Sequence, residues 1–408
     1  MTLNFLTLDD IRVAGKTVLV RADLNVPMSG GKVTDSTRIV RLVGTLEHLI
    51  AAKAKVVILS HFGRPKGEFV PSMSLASLVD PLSEALGGRE VKFGVDCIGA
   101  AAKKAVTALK AEDVLLLENL RFHPEEEKGD ANFARELAEL GDIYINDAFS
   151  ASHRAHASIA GIPKHLPAAA GRLMQEELQM LGGIFSGTKT PIAGVIGGAK
   201  VSTKLELLLN LSSTMHKLII GGAMANTFLL AQGHKLGKSL VEPSLVDTAA
   251  RILKQAEKKG CEILLPVDAV VARTLEERAS CKILPITKIP AGGMILDVGP
   301  ETITHFSNAL KGCKTVVWNG PIGAFEVSPF DASTVMLARQ VAALTTAKKL
   351  HSIAGGGDTL AALSHAGLAD SFSYISTAGG AFLEWLEGKT LPGVAALLQS
   401  TPPRKRRA

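Results

Sequence analysis

Basic side chains follow four apolar, strand-like runs in the first half of the chain. They are Arg21 after "VLV", His61 and Arg64 after "VVILS", Arg121 after "VLLLENL", and His153, Arg154 and His156 after "IYINDAFSAS". The carboxyl ends of parallel strands meet at one edge of a sheet, which is where open α/β sheets bind ligands. Clustered arginines offer forked N–H donors that grip carboxylate and phosphate groups. The first half therefore predicts a site for a small, highly charged anion.

Glycine pairs occupy the same strand-end positions in the second half. They lie at Gly197 and Gly198, Gly221 and Gly222, Gly355 to Gly357, and Gly379 and Gly380. Glycines in front of a helix let backbone N–H groups approach a phosphate chain closely, as nucleotide binding requires. A small anion held by side chains in one half and a nucleotide held by backbone groups in the other predict a phosphoryl transferase.

Arg38, Lys200 and Lys204 carry positive charge where a helix is predicted to start. Arg38 follows "TDST", a helix-start pattern, and a cation there opposes the helix dipole; it is either a solvated charge or part of the anion site. Lys200 and Lys204 are four residues apart, which predicts one shared helix face with like charges in repulsion. A polyphosphate would relieve that repulsion, and the preceding glycine pair favours this interpretation over solvated lysines.

Two carboxylates of the second half stand beside turns rich in glycine. Asp358 follows three glycines in "GGGDT", where it fits a helix N-cap, a contact to magnesium carried by nucleotide phosphates, or both, and the glycines favour a phosphate loop over a plain cap. Glu326 follows "NGPIGAF", where its carboxylate could accept a hydrogen bond from a ribose hydroxyl.

Alternating strand-like and helix-like segments must position these residues. "KTVLVRADLNVP", "STRIVRLVGTLEHLIAA" and "AKVVILSHFGR" show the βαβ rhythm of an open parallel sheet covered by helices. The composition, 47% hydrophobic but only 4% aromatic, agrees with buried strands of Val, Ile and Leu. A chain of 408 residues exceeds what one hydrophobic core supports, so two domains are expected. The boundary is predicted after "GRLMQEELQMLGG", at residue 183, before a turn-rich segment.

Charge, cysteines and hydropathy exclude several classes of protein. Residues 404–407 carry four of the six excess positive charges, which leaves +2 for the rest and disfavours a nucleic-acid surface; that tail is predicted to be disordered. Four scattered cysteines without C-x-x-C spacing predict neither a zinc site nor a disulfide framework, and they favour a reducing compartment. The sequence shows no signal-like or membrane-spanning segment, so the expected location is the cytoplasm, without a membrane partner.

Seven blocks of the sequence together resemble the phosphoglycerate kinase family. They are "RADLNVP", "SHFGRPKG", "LENLRF", "NDAFSASHRAHAS", "GGAKVSTK", "WNGPIGAFE" and "GGGDT", and they span nearly the whole chain in order. The resemblance implies an α/β fold with two doubly wound parallel-sheet, Rossmann-like domains joined by a helix and a hinge. Residues 1–183 would bind phosphoglycerate, with 390–408 packing back on them, and residues 184–389 would bind the nucleotide. The implied reaction is reversible phosphoryl transfer between 1,3-bisphosphoglycerate and MgADP, giving 3-phosphoglycerate and MgATP, by a monomer.

The resemblance also implies roles for individual residues. The substrate-binding set is Arg21, Asp23, Asn25, Arg38, His61, Arg64, Arg121, Arg154 and His156. The nucleotide-binding set is Lys200, Lys204, Gly222, Asn319, Glu326, Gly356, Gly357, Asp358 and Thr359, with Asp358 also the magnesium contact. Charge in the transition state would be stabilised by Arg38, Lys204 and the backbone N–H groups at Gly357 and Gly380. Thr203 and Ala378 depart from the family's pattern, which leaves the local phosphate geometry open.

Two other functions are compatible with a phosphate-binding α/β chain: a nucleotide-dependent oxidoreductase and a non-catalytic phosphate-binding protein. A dehydrogenase would carry G-x-G-x-x-G after an early strand with an acid about 20 residues later, and the sequence has no such fingerprint. A simple phosphate-binding protein would not need a cationic half and a glycine-rich half together.

Overall fold

Short β-strands alternate with α-helices along the described chain, residues 5–185 and 189–399 of a computed structural model. Contacts divide it into two units: unit 1 runs to Gln179 and resumes at Thr390, and unit 2 is Met180–Lys389. The division falls inside one helix, Arg172–Phe185. The domains expected from the sequence, residues 1–183 with 390–408 and residues 184–389, stay predictions. The basic tail, residues 404–407, lies outside the described residues.

Unit 1 is built on a six-stranded, fully parallel sheet with a short antiparallel hairpin after its first strand. The strands are β1 Thr17–Arg21, β2 Met28–Ser29, β3 Lys32–Val33, β4 Lys55–Leu59, β5 Val91–Gly94, β6 Val114–Leu117, β7 Ile143–Asn146 and β8 Ala168–Ala170. The sheet order is β5-β6-β4-β1-β7-β8, and β2 pairs with β3. The direction of winding reverses between β1 and β7, so their carboxyl ends form a topological switch point.

Helices must cover both faces of this sheet because its strands are apolar on both sides. Val18 and Val20 belong to one core cluster with Ile39 and Leu42, whereas Leu19, which alternation directs to the opposite face, is also fully buried. The helices are α1 Thr37–Ala51, α2 Val79–Ala85, α3 Gly99–Thr107, α4 Pro124–Lys128, α5 Ala131–Ala138 and α6 Arg172–Phe185.

Unit 2 repeats this plan with a second six-stranded parallel sheet. Its elements are β9 Ile192–Ile196, α7 Leu205–Thr214, β10 Lys217–Ile220, α8 Gly222–Ala231, α9 Val246–Lys259, β11 Glu262–Leu264, β12 Asp268–Ala272, β13 Cys281–Pro285, β14 Met294–Val298, α10 Pro300–Lys311, β15 Thr315–Asn319, α11 Ala332–Thr346, β16 His351–Gly355, α12 Gly357–His365, β17 Tyr374–Ser376 and α13 Gly380–Leu386. The order β11-β10-β9-β15-β16-β17 places the switch point between β9 and β15. The predicted fold class, α/β with two doubly wound parallel sheets, is confirmed.

Two features complete the fold. Unit 2 also holds an antiparallel sheet, β13-β12-β14, which the sequence did not predict because the residues of β13 are mostly exposed and give no apolar run. A last helix, α14 Pro392–Gln399, packs on unit 1, where Gly393 N donates to Ser152 O (2.9 Å). Across residues 5–185 and 189–399, no helix combines the length and the apolar character that a bilayer crossing requires.

Candidate active site

The loop after β1 anchors Arg38 through oxygen acceptors. Helix α1 begins at Thr37, as the "TDST" pattern predicts, so Arg38 is the second helical residue. Its Nη1 donates to Asp23 Oδ2 (2.7 Å) and to the backbone oxygen of Asn25 (2.9 Å). Asn25 Oδ1 accepts from Gly63 N (2.9 Å), which links this loop to the loop after β4. Arg38 is therefore a positioned side chain and not a freely solvated one.

Asp23 is a largely buried carboxylate that joins two of the strand-end loops. Ser150, which follows β7, donates its hydroxyl to the oxygen of Asp23 that also accepts from Arg38. Burial alone would raise the pKa of Asp23, but the neighbouring His61 and Arg38 side chains, together with the Ser150 hydroxyl, hold it below its usual value. Asp23 therefore stays ionised and keeps Arg38 in place at the switch point.

A buried chain of polar groups fixes Arg21 at the end of β1. The guanidinium of Arg21, 1% exposed, donates from Nε to Ser158 Oγ (2.8 Å) and also contacts Ala22 O and His61 Nδ1 (3.2 Å). Ser158 in turn donates its N–H (2.8 Å) and its hydroxyl (2.5 Å) to the fully buried carboxyl group of Glu126. Nothing in the sequence singles out Glu126, because three consecutive acids at the start of a helix are typical of a solvated surface.

His61 and His156 lie buried beside these arginines as neutral imidazoles. Burial and the charge of Arg21 lower the pKa of His61 well below its usual value. Burial and the charge of Arg121 lower the pKa of His156 to about 3. Burial is the larger cause of both shifts, and the arginine charges add a positive potential, which is what an anion site requires.

The remaining arginines of unit 1 differ in how firmly they are held. Arg121 is 6% exposed and donates from Nη1 to Gly63 O (2.7 Å). Arg154 is half-buried and contacts the ring of His153. Arg64 is exposed and makes no hydrogen bond or ion pair with any residue that the structure describes. The structure thus brings the predicted residues of unit 1 together, except that the guanidinium of Arg64 stays open to solvent.

Lys204 occupies the switch point of unit 2. Its Nζ donates to Gly197 O (2.6 Å) and Asn319 Oδ1 (2.6 Å), at the ends of β9 and β15. Because these partners are neutral oxygens, burial lowers the pKa of Lys204 to about 8, and the charge of nearby Asp358 opposes that shift. The site therefore holds a desolvated ammonium group that no carboxylate of the described residues contacts.

Asn319 and Thr359 hold the strand-end loops of unit 2 together. Asn319 Nδ2 donates to Gly355 O (2.7 Å), while its Oδ1 accepts from Lys204. Thr359 Oγ1 donates to the same Gly355 O (2.9 Å) and accepts from Gly320 N (2.7 Å). Both predicted side chains are therefore brought into the site, where their polar atoms are already used to position loops.

The predicted placement of Lys200 and Lys204 on one helix face is wrong. Helix α7 begins at Leu205, and residues 202–204 form a turn. Thr203 Oγ1 donates to Lys200 O (2.9 Å), a side-chain to backbone hydrogen bond that competes with helix formation. Lys200 is consequently exposed, whereas Lys204 is drawn into the strand ends.

Glycines open three helices of unit 2: α8 at Gly222, α12 at Gly357 and α13 at Gly380. Gly222 has φ 66°, and a Cβ there would lie 2.5 Å from Gly198 O. Gly356 has φ 100°, and a Cβ there would lie 2.5 Å from Asn319 Nδ2. Only glycine fits at these two positions. Gly380 opens a helix of only seven residues, and its catalytic role stays a prediction.

A cavity of about 520 Å³ lies beside Gly222, at the start of α8. Asp358 and Glu326, both exposed, line it together with Gly198 and Gly222. The N-cap alternative for Asp358 is wrong, because Gly356 is the N-cap of α12 and Asp358 lies in the first turn. The Asp358 carboxylate is therefore free of a capping role and faces the cavity.

Comparison with known proteins decides the family. A family model described as phosphoglycerate kinase matches residues 8–389. The chain belongs to the phosphoglycerate kinase family. Relatives named phosphoglycerate kinase from Granulibacter bethesdensis and Rhodospirillum centenum are 55% and 56% identical over 395 residues, which is 97% of this chain and 100% of each relative. Phosphoglycerate kinase structures from Coxiella burnetii and Pyrococcus horikoshii align with TM-scores of 0.90 and 0.80, at 41% and 30% identity, over 97% of this chain and 99% of each of theirs.

The predicted resemblance to phosphoglycerate kinase is confirmed, and with it the class of enzyme, a phosphotransferase. The sequence nevertheless missed part of the cavity wall. Leu240, Leu275 and Met294 add apolar surface to it, and Asp297 adds a carboxyl group whose pKa burial raises to about 7. The run "MILDV" at 294–298 is strand-like and could have been found, but its position beside the cavity depends on the unpredicted antiparallel sheet.

Proposed function

We propose that the chain catalyses the reversible transfer of a phosphoryl group between 1,3-bisphosphoglycerate and ADP, giving 3-phosphoglycerate and ATP, a step of glycolysis. The observation that carries this proposal is the pair of anion sites at the two switch points. One is built from arginines and histidines, and the other from Lys204 and glycine-opened helices. A small polyanion and a nucleotide are the ligands that these two chemistries fit.

Unit 1 is proposed to bind 3-phosphoglycerate. Its proposed ligand contacts are Arg21, Asp23, Asn25, Arg38, His61, Arg64, Arg121, Arg154 and His156. The ionised Asp23 is acceptor-only, so it suits the substrate hydroxyl, whereas the exposed Arg64 suits the phosphate at the far end of the substrate. The neutral His61 and His156 can donate hydrogen bonds to an anion without a change of protonation state.

Unit 2 is proposed to bind the nucleotide in the 520 Å³ cavity and along the adjoining helix starts. The proposed contacts are Lys200, Lys204, Gly222, Asn319, Glu326, Gly356, Gly357, Asp358 and Thr359. Asp358 fits magnesium, because Mg²⁺ prefers oxygen ligands and is usually held by one or two carboxylates together with substrate phosphates. When bound, the ion would supply positive charge to the phosphates.

The chemistry requires positioning and charge more than proton transfer. In the direction that forms 1,3-bisphosphoglycerate, the attacking group is the carboxylate of 3-phosphoglycerate. This carboxylate is ionised at neutral pH, so no general base is needed. Arg38, Lys204 and the N–H groups at Gly357 and Gly380 are proposed to stabilise the charge of the group in transfer. With a pKa of about 8, Lys204 is mostly protonated at pH 7 and can take this role.

Several finer points belong to the same proposal. Transfer between two separate sites implies that ligands draw the units together by a hinge motion. The four cysteines, all free thiols, support a cytoplasmic enzyme. The near-neutral charge outside the tail supports an enzyme without a nucleic-acid partner, and we propose that it acts as a monomer away from membranes.

A coupled assay with calorimetry tests the function. MgATP and 3-phosphoglycerate should each bind alone, and together they should turn over. Lys204→Ala should lower kcat by on the order of 10² to 10³, comparable with the loss of one preorganised donor. Lys217→Ala is the matched control, because its Nζ pairs with Glu262 (2.8 Å) at the amino ends of β10 and β11, opposite the carboxyl ends that form the site, and it should keep wild-type kcat. Binding of neither ligand would refute the proposal, and binding without turnover would favour a non-catalytic phosphate-binding protein.

A further inference from the structure

Three side chains with different donor atoms converge in unit 1 outside the anion site. Asp96 and Cys97 follow the end of β5, and His123 precedes α4. One ligand atom from each, an oxygen, a sulfur and a nitrogen, lies within 4.8 Å of the other two. His123 Nε2 is 2.8 Å from Asp96 Oδ1, and the Cys97 side chain is fully buried.

The spacing of these atoms is close to that of a metal coordination shell. Bonds of about 2.0 to 2.3 Å in a tetrahedral shell separate the ligand atoms by roughly 3.3 to 3.8 Å. The observed separations, from 2.8 Å to at most 4.8 Å, bracket that range, so small side-chain rotations would bring all three atoms onto one ion.

The donor set selects the class of metal. Thiolate, imidazole and carboxylate together suit borderline divalent ions of the Zn²⁺ and Co²⁺ type, whereas Mg²⁺ prefers oxygen alone. We propose that Asp96, Cys97 and His123 form a binding site for one borderline divalent cation, with water at the fourth position. Binding would release the thiol proton of Cys97 to solvent, and a neutral His123 that ligates through Nε2 would carry its proton on Nδ1.

Neighbouring groups already orient two of the three ligands. Asp96 Oδ1 accepts from Cys97 N (2.7 Å), which fixes the carboxylate beside the thiol. The His123 ring packs on Phe133 of α5, with centroids 5.3 Å apart. Such outer contacts reduce the ordering that an ion must impose, and their loss typically costs 10-fold to 100-fold in metal affinity.

The site adjoins the machinery of the anion site. His123 is the N-cap residue of α4, which carries Glu126, and it follows Arg121 by two positions. An ion at His123 would therefore restrain the segment that supports both side chains. A hydrogen-bonded Asp96–His123 pair beside an unrelated thiol is the competing interpretation, and it predicts no affinity for metal.

Cobalt spectroscopy on the full, tag-free protein distinguishes the two. After treatment with EDTA, wild type titrated with Co²⁺ should bind one equivalent with a thiolate-to-cobalt charge-transfer band and a raised thermal midpoint. Cys97→Ser should lose the band. Cys281→Ser is the matched control, because it removes an exposed thiol of β13 and should keep the band. His123→Gln should weaken Co²⁺ binding at least tenfold.

Opposite outcomes overturn the proposal. In one, the wild-type protein shows no charge-transfer band at one equivalent of Co²⁺. In the other, Cys281→Ser abolishes the band and Cys97→Ser keeps it. If Cys97→Ser does not fold, the half-exposed His123 decides the question. A folded His123→Gln protein with wild-type affinity for Co²⁺ shows that the cluster is not a metal site.

Discussion

Arg38 and Arg64 have the same side chain in unit 1 but different surroundings, and this difference predicts different kinetics. Both N–H bonds of Arg38 Nη1 are used, on Asp23 Oδ2 (2.7 Å) and Asn25 O (2.9 Å). Because a guanidinium has five N–H donors, Nε and Nη2 retain three of them in a fixed orientation. Arg64 is exposed and has no partner among the described residues, so nothing orients it before substrate binds.

Replacing each arginine by alanine should separate transition-state stabilisation from uniform binding. Arg38→Ala removes a preorganised charge, so kcat should fall by on the order of 10² to 10³. Arg64→Ala removes a contact that we propose is equally strong in the ground and transition states. A hydrogen bond to a charged group contributes about 1.5 to 3 kcal/mol, so KM for 3-phosphoglycerate should rise roughly tenfold to 100-fold with kcat nearly unchanged. Arg38→Lys should recover only part of the rate, because a point charge does not reproduce a forked contact.

Stability must be measured beside activity, because Arg38→Ala also leaves Asp23 without its ion-pair partner. Asp23 keeps the Ser150 hydroxyl and Arg38 is about one-third exposed, so the free energy of unfolding should fall by only about 1 to 3 kcal/mol. Steady-state kinetics and urea denaturation check both numbers. Arg135→Ala, on the exposed side of α5, is the control and should change neither. An Arg38→Ala enzyme with wild-type kcat and a raised KM refutes the assignment.

Four further outcomes are expected. MgATP binding should take up about half a proton at about pH 8 and almost none at about pH 6, because the phosphates restore the proton on Lys204. Calorimetry in buffers of different ionisation enthalpy measures this proton uptake, and equal uptake at both pH values contradicts the prediction. Between about pH 6.5 and pH 3, His156 is protonated in the unfolded chain but not in the folded protein. The free energy of unfolding should therefore fall by up to about 1.4 kcal/mol per pH unit as the pH drops through that window. In urea denaturation, His156→Gln should show a shallower dependence of the free energy of unfolding on pH. Small-angle scattering should show a smaller radius of gyration with both substrates than with either alone; an unchanged radius argues against a hinge. Deleting residues 404–407 should leave kcat nearly unchanged, and a tenfold loss would give the tail a role.

The sequence predicted the parts of the site that depend on strand ends. Arg21 is the last residue of β1 and Asn319 is the last residue of β15. Their positions therefore follow from the parallel fold and from the short apolar runs that predict these strands. The same argument located Lys204 but misplaced its helix, because turn formation at Thr203 is a local hydrogen bond that periodicity does not register.

Strand-end reasoning did not predict contacts between side chains that are far apart in the sequence. Ser158 joins Arg21 to Glu126 across 137 and 32 positions, and no spacing rule connects these residues. The cluster of Cys97 and His123 is of the same kind. The absence of C-x-x-C spacing excluded a zinc motif contiguous in sequence, but not donors that β5 and α4 bring together.

Arg38 and Lys204 show two solutions to the problem of holding a positive charge ready for an anion. Arg38 cannot lose its proton, so pairing it with Asp23 fixes its geometry without threatening its charge. Among the described residues Lys204 Nζ contacts neutral oxygens, and burial lowers its pKa to about 8, so its proton is held less firmly than that of Arg38 although the group is still mostly charged at pH 7. Phosphates and the proton of Lys204 therefore stabilise one another. A carboxylate placed against Nζ would secure the proton, but it would also neutralise the charge that we propose stabilises the phosphoryl group in transfer.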